Sequence, residues 1–244
     1  MAETGHIKNV ENLTKAHDFA VSWGPSYAPS NAMLAVAAMA TLITAATGVV
    51  DNVQAKRTPY RNSTAACDDL FAPLSKRITR VMKVGKASGI PQSVLDDADT
   101  YARKIKGQRK SKPVEDDPST LLVDESQQNH SASQMSRAQR IENFDSLIDL
   151  FQSQADYTPN EVDLKILTLS SYSESMKVAM QEINDTFVPW SNSMATRDAV
   201  LYSNADSVLN TGRLFKTYVE AAYGRSSTNW QQVKNLKFVD LSRV

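Results

Sequence analysis

The chain holds a single cysteine, Cys67. No intrachain disulfide can form, so packing alone must hold the fold, which fits a reducing compartment. Net charge is also missing, because Lys+Arg and Asp+Glu number 27 each. No global field therefore points to nucleic acid or an anionic membrane, and little repulsion opposes self-association. The N-terminus, Met1 to His6, lacks the basic n-region and apolar h-region of a signal peptide, so the expected location is cytoplasmic. The Asn-x-Ser/Thr triplets at Asn12, Asn62, Asn129 and Asn184 then carry little weight as glycosylation sites. Sustained alternation of β-branched residues is absent as well, which predicts an all-α protein without a sheet.

Catalytic constellations are equally scarce. There is no phosphate-binding glycine loop, no dinucleotide fingerprint, no His-Glu-x-x-His and no nucleophile elbow. His6, His17 and His130 are scattered, without acidic or thiol partners at metal-ligand spacing. The paired Glu-x-x-His motifs of di-iron bundles are missing, for the spacing occurs once, at Glu3-Thr4-Gly5-His6. Cys67 has no nameable basic partner, so a buried thiol is expected rather than a nucleophile. The chain is therefore expected to be no enzyme, with no catalytic, cofactor-binding or metal residues and no cofactor.

What is present is internal repetition. Tyr27-Ala28-Pro29 returns as Tyr157-Thr158-Pro159, and Pro59-Tyr60-Arg61-Asn62-Ser63 returns as Pro189-Trp190-Ser191-Asn192-Ser193. These pairs, with Leu34/Leu164 and Asp68/Asp198, share one offset of 130 residues. Val10-Glu11-Asn12-Leu13 echoes Ile141-Glu142-Asn143-Phe144, and Ala87-Ser88-Gly89 echoes Ala222-Tyr223-Gly224. The shared order predicts a tandem duplication. The expected organisation is a first helical repeat over 1–106, a flexible polar linker over 107–136 and a second repeat over 137–244.

Within each repeat, helical periodicity dominates. Val10, Leu13, Ala20 and Val21 predict a first helix over 10–23. A long helix is expected from about Pro29 to Arg57, ended by Thr58-Pro59-Tyr60, since proline disfavours helical geometry in the residue before it. A third helix follows over 63–86 with a kink or local break at Pro73, and a fourth over 92–106 with Val94, Ala98, Tyr101 and Ile105 on one face. In the second half, Ile141, Phe144, Leu147, Ile148 and Phe151 form an apolar stripe. Thr158-Pro159-Asn160-Glu161 reads as a helix start, Val188-Pro189-Trp190 as a turn, and Ser193 to Ala222 as a helix stopped by Gly224. Trp230, Val233 and Leu236 line a last short helix. The physical expectation is two amphipathic hairpins packed face to face as a pseudo-twofold four-helix bundle, with short flanking helices.

Four features carry functional alternatives. Ala32 to Val50 holds no charged residue, yet its counterpart Val162 to Met180 contains Asp163, Lys165, Glu174 and Lys177. A buried, closely packed core helix is the expectation, and a membrane-inserting hairpin of the pore-forming type is the alternative. Lys104, Lys106, Arg109, Lys110 and Lys112 form a basic cluster, but without aromatics or a reading helix it is expected to be solvated, so no nucleic-acid partner is expected. In the linker, only Leu121-Leu122-Val123 is apolar enough to dock on a surface. The repeated aromatics Tyr27/Tyr157 and Tyr60/Trp190, beside Pro59/Pro189 and Asn62/Asn192, are expected to belong to helix turns and to plug bundle ends rather than bind a ligand.

The stretch Ser133 to Phe144, followed by Tyr157 to Glu161, and the ending Lys216 to Gly224 resemble uncharacterised all-helical tandem-repeat proteins of the Bacteroidota. The resemblance covers mainly the second repeat and implies a bacterial source, with no activity, cofactor or catalytic residue. The functional expectation is a non-enzymatic scaffold or protein-interaction protein, with a protein partner or self-association and little role for membranes. An unrecognised enzyme is the remaining alternative.

Overall fold

The computed structural model describes residues 4–108 and 135–242. Among them every regular element is helical: α1 (Thr4–Trp23), α2 (Val36–Phe71), α3 (Leu74–Ala87), α4 (Gln92–Lys106), α5 (Arg137–Gln152), α6 (Ile166–Asp198), α7 (Val208–Tyr223) and α8 (Thr228–Val233). Short 3-10 turns at Ala32–Leu34 and Val162–Leu164 lead into the two long helices, and a π-helical turn, Ala199–Ser203, ends the second. The Leu121-Leu122-Val123 expectation, the linker and the basic residues Arg109, Lys110 and Lys112 fall mostly outside the described residues.

The chain divides into two compact units, one of 1–61 with 185–244 and one of 62–184. This division differs from the expected boundaries at 106 and 137, for it falls inside α2 and α6. The pairing of helices explains it. In the first unit α1 packs on α7 and α7 on α8, whereas in the second α3 packs on α4 and α4 on α5. Each half of the sequence thus supplies helices to both units.

The first unit buries two apolar clusters. Ala16 and Ala20 of α1, Tyr27, Leu34, Met39 and the α7 residues Phe215 and Val219 form one. Val10, Leu13, Ala46, Val50, Leu201 and Leu209 belong to the other. The buried α1 stripe is Val10, Leu13, Ala16 and Ala20, while Val21, expected on that face, points outward. After α8 the chain runs extended across α1. The Asn9 amide both donates to Val239 O (2.8 Å) and accepts from Val239 N (3.0 Å), and Asn12 donates to Lys237 O (2.7 Å). Ser207 and Ser227 start α7 and α8 by accepting from Asn210 N and Trp230 N. Gly224 stops α7 at φ 82°, as its position predicts.

The second unit has one core, in which Phe71, Leu74, Ile78, Leu95, Ile105, Phe144, Phe151, Leu164 and Leu169 all meet. The expected α5 stripe of Ile141, Phe144, Leu147, Ile148 and Phe151 is buried along its whole length. Ser136 caps α5 by accepting from Gln139 N. Pro73 marks the predicted break between α2 and α3, and α4 has the predicted ends. Its buried face is Leu95, Ala98, Ala102 and Ile105, so Val94 and Tyr101 lie at the edge of that face.

Several expectations need correction. No turn exists at 58–60 or 188–190, since α2 and α6 run uninterrupted through Pro59 and Pro189. Proline in a helix interior costs about 3 kcal/mol. Residues buried on both sides outweigh that cost: Val53 and Cys67 around Pro59, Met176 and Leu201 around Pro189. Each large apolar side chain contributes about 1.5–3 kcal/mol on burial. Both prolines are exposed, so water can satisfy the carbonyls their rings disturb. Two long continuous helices therefore stand where hairpin turns were expected. Thr158-Pro159-Asn160-Glu161 does not open the helix, because Lys165 is extended and α6 begins at Ile166. The expected 193–222 helix is divided by the π-turn and the loop before Ser207.

The segment Ala32 to Val50 is not a buried core helix. Met39, Ala46 and Val50 are buried, but Ala37, Thr41, Thr44, Ala45, Thr47 and Gly48 face outward. Absence of charge does not imply burial here. Thr41, Thr44 and Thr47 satisfy their hydroxyls on the carbonyls of Ala37, Ala40 and Ile43, so an exposed face can remain uncharged.

Candidate functional site

The second unit carries an open groove of about 480 Å³ between α5 and α6. Helical spacing builds its walls. Glu142, Asp145, Ser146 and Asp149 recur at three- and four-residue intervals and so line one face of α5. Lys177, Gln181 and Asn184 come from α6, while Ile141 and Met180 give the groove an apolar floor. Ile141 is buried and Met180 half-buried, so one edge of the core forms that floor.

The three carboxylates are not equivalent. Asp145 accepts from Ser173 Oγ and pairs with Lys177 Nζ at 2.9 Å. Lys177 also lies 3.8 Å from Glu174, and the hydrogen bond it donates to Asp145 pushes its ammonium above the usual lysine range. That pair neutralises the middle of the groove. Glu142 and Asp149 are exposed and hold no cation of their own chain among the described residues. Two negative charges therefore flank an internally compensated centre over an apolar floor. Such a site can hold a cationic, partly apolar ligand by charge and contact. It has no nucleophile–base pair, and among the described residues no cluster of His, Cys, Asp or Glu is placed to hold a metal ion.

Residues weighed from the sequence are placed elsewhere. Cys67 is fully buried, and burial pushes its thiol upward against the pull of Arg137. His17 is half-buried and lies 3.1 Å from the carboxylate of the neighbouring Asp18. His6 is buried in the first unit, 2.7 Å from Tyr202 Oη through Nδ1, and Asn9 donates to the same oxygen at 3.3 Å. Burial raises the Tyr202 phenol. This cluster ties α1 to the π-turn. Asn12 is buried against the C-terminal segment, Asn62 is exposed, and Asn184 lines the groove. His130 and Asn129 lie outside the described residues.

Tyr27 and Tyr157 lie in the turns before the long helices: each is buried and donates its hydroxyl seven residues ahead, to Leu34 O (2.8 Å) and Leu164 O (3.1 Å). Tyr60 and Trp190 sit in helix interiors instead, stacked on each other at 4.9 Å with Phe187 against both. Trp190 Nε1 is buried there without a hydrogen-bond partner.

Sequence reasoning missed the groove. Its signal was available in the spacing of Glu142, Asp145 and Asp149, but Lys177 and Met180 join it only through the packing of α6. No family model, curated protein or solved structure matches the chain.

Proposed function

We propose that this chain is a non-enzymatic helical interaction protein, cytoplasmic and bacterial, built by duplication of one helical unit. The observation that carries the functional reading is the α5/α6 groove, open to solvent and equipped for contact and charge rather than for bond chemistry. The duplication rests on agreement of detail at one offset. Leu34/Leu164, Met39/Leu169, Ala46/Met176, Ser63/Ser193, Cys67/Arg197 and Phe71/Leu201 are all buried, 130 residues apart. The two tyrosine-to-carbonyl bonds and the two 3-10 turns keep the same offset. A pseudo-twofold relation and membership of the Bacteroidota helical proteins belong to the same reading.

The test is reconstitution. Full-length protein is expected to form a saturable complex with a purified protein partner and to turn over no substrate. Robust turnover abolished by one polar substitution contradicts the reading.

A second reading rests on α2. The helix that begins at Val36 contains a stretch long and apolar enough by composition to cross a membrane, with mean hydropathy 1.5 and 22% of it buried. Exposed Ala, Thr and Gly would then face lipid. Dye-loaded liposomes decide between the two: leakage on addition of protein supports the membrane reading, and intact vesicles across pH and lipid composition remove it.

A further inference from the structure

We infer that the face between α1 and α7 is a receptor for an extended segment of a second copy of this chain. The occupant seen there is the chain's own residues 234–241, and two copies can exchange it. The site lies in the first unit, apart from the α5/α6 groove. Gly5, Asn9 and Asn12 recur at four and three residues, so they share one face of α1. Gly212 and Lys216, four residues apart, do the same on α7. Lys216 Nζ donates to Lys234 O (2.8 Å) and Leu236 O (3.0 Å). Asn12 donates to Lys237 O, while Asn9 donates to Val239 O and accepts from Val239 N. These bonds hold the backbone of the segment and do not depend on its side chains. Selectivity comes from two notches: a Cβ at Gly5 would lie 2.6 Å from Leu241 Cδ1, and one at Gly212 2.4 Å from Phe238 Cε1. Main-chain bonds for affinity, with pockets for spaced side chains, are the chemistry of a peptide receptor.

The segment itself is lightly held. Lys237, Val239 and Asp240 are exposed, and Phe238 and Leu241 are only half-buried. Few buried apolar contacts place it at the low end of local stability, where opening precedes global unfolding. A second copy offers the identical backbone, Phe238 and Leu241, so every bond made within one chain can be remade between two. The zero net charge leaves little repulsion against that approach. The tether favours the closed monomer through its effective concentration, so exchange rises with protein concentration.

Two whole-chain variants test the exchange. One keeps the segment and loses its receptor, Asn9→Ala with Asn12→Ala; the other keeps the receptor and loses the anchors, Phe238→Ala with Leu241→Ala. Each alone is expected to be monomeric by light scattering, and their equimolar mixture to form a one-to-one dimer. A labelled peptide of residues 234–242 should bind the anchor-deficient chain saturably, about tenfold more tightly than wild type, whose own segment competes. Circular dichroism verifies that both variants stay helical. In wild type, excess peptide should speed deuterium exchange at the Val239 amide as the chain's own segment is displaced. A mixture of folded variants that stays monomeric overturns the exchange between copies, even where the peptide binds. Unchanged protection of Val239 with no saturable peptide binding overturns the receptor assignment as well. Should either variant unfold, wild type decides: a dimer fraction that rises with concentration and collapses on adding peptide upholds the exchange, and its absence overturns it. Neither failure touches the proposed function, which stands or falls on its own reconstitution.

Discussion

At the residue scale, two glycines inside helices make opposite predictions. Gly→Ala in a helix interior ordinarily stabilises by about 1 kcal/mol. Gly48 of α2 has open space where a Cβ would stand, so Gly48→Ala should raise the melting temperature. Gly212 of α7 does not: a Cβ there would lie 2.4 Å from Phe238 Cε1 and 2.5 Å from two further ring atoms. Gly212→Ala should destabilise by roughly 1–3 kcal/mol, and Phe238→Leu in that background should recover part of the loss, both read from urea melts. Tyr157 gives a pH prediction. Burial, with a smaller push from Glu161, raises its phenol to about 12. An unfolded tyrosine ionises near 10, so above about pH 10 the folded chain retains a proton that the unfolded chain has released. Its contribution is complete below about pH 10 and is lost as pH rises toward about 12. Tyr157→Phe should flatten that decline while costing about 1 kcal/mol at neutral pH, through the lost bond to Leu164 O. Much at this scale was legible in the sequence. Tyr27 and Tyr157 stood out by their offset, and Gly224 and Pro73 by their conformational limits. The partners of Gly212 and Asn9 were not legible, because Phe238 and Val239 reach them only through tertiary packing.

At the scale of elements, the prolines decide how the long helices are understood. A local rule ends a helix before Pro59 and Pro189, yet both helices continue. Burial at Val53, Cys67, Met176 and Leu201 acts over four turns or more and overrides a preference that acts on one residue. Pro59→Ala and Pro189→Ala should therefore stabilise, by up to about 3 kcal/mol each, and increase helical ellipticity. A loss of stability on either change would instead support turns at these positions. Amphipathic stripes were read well where large side chains mark the face, as in α5. They were misread in Ala32–Val50, where Ala, Thr and Gly leave the buried and exposed faces chemically similar. Leu164→Asp or Phe144→Asp should unfold the second unit, since each places an uncompensated charge in its core. The groove follows from these same elements, because α5 supplies its acidic wall and α6 its lysine and methionine.

At the scale of the whole molecule, the division of the chain is the main departure from what the sequence suggested. Several helical segments were legible as sequence ranges, but which helices pair was not, because helical patterning shows that a face is buried and never against what. The packing of α1 on α7 and of α4 on α5 produces one discontinuous unit, 1–61 with 185–244, and one continuous unit, 62–184. The continuous unit contains the groove and its own core, from Cys67 to Met176. The first unit needs both ends of the chain, whose side-chain bonds join Asn9 to Val239 and His6 to Tyr202. Thermal unfolding of two isolated fragments, 62–184 and 1–106, followed by circular dichroism, tests this division most directly. The account predicts a cooperative helical transition for 62–184 and none for 1–106, which lacks the helices its first stripe packs against. A cooperatively folded 1–106 beside an unfolded 62–184 would contradict it.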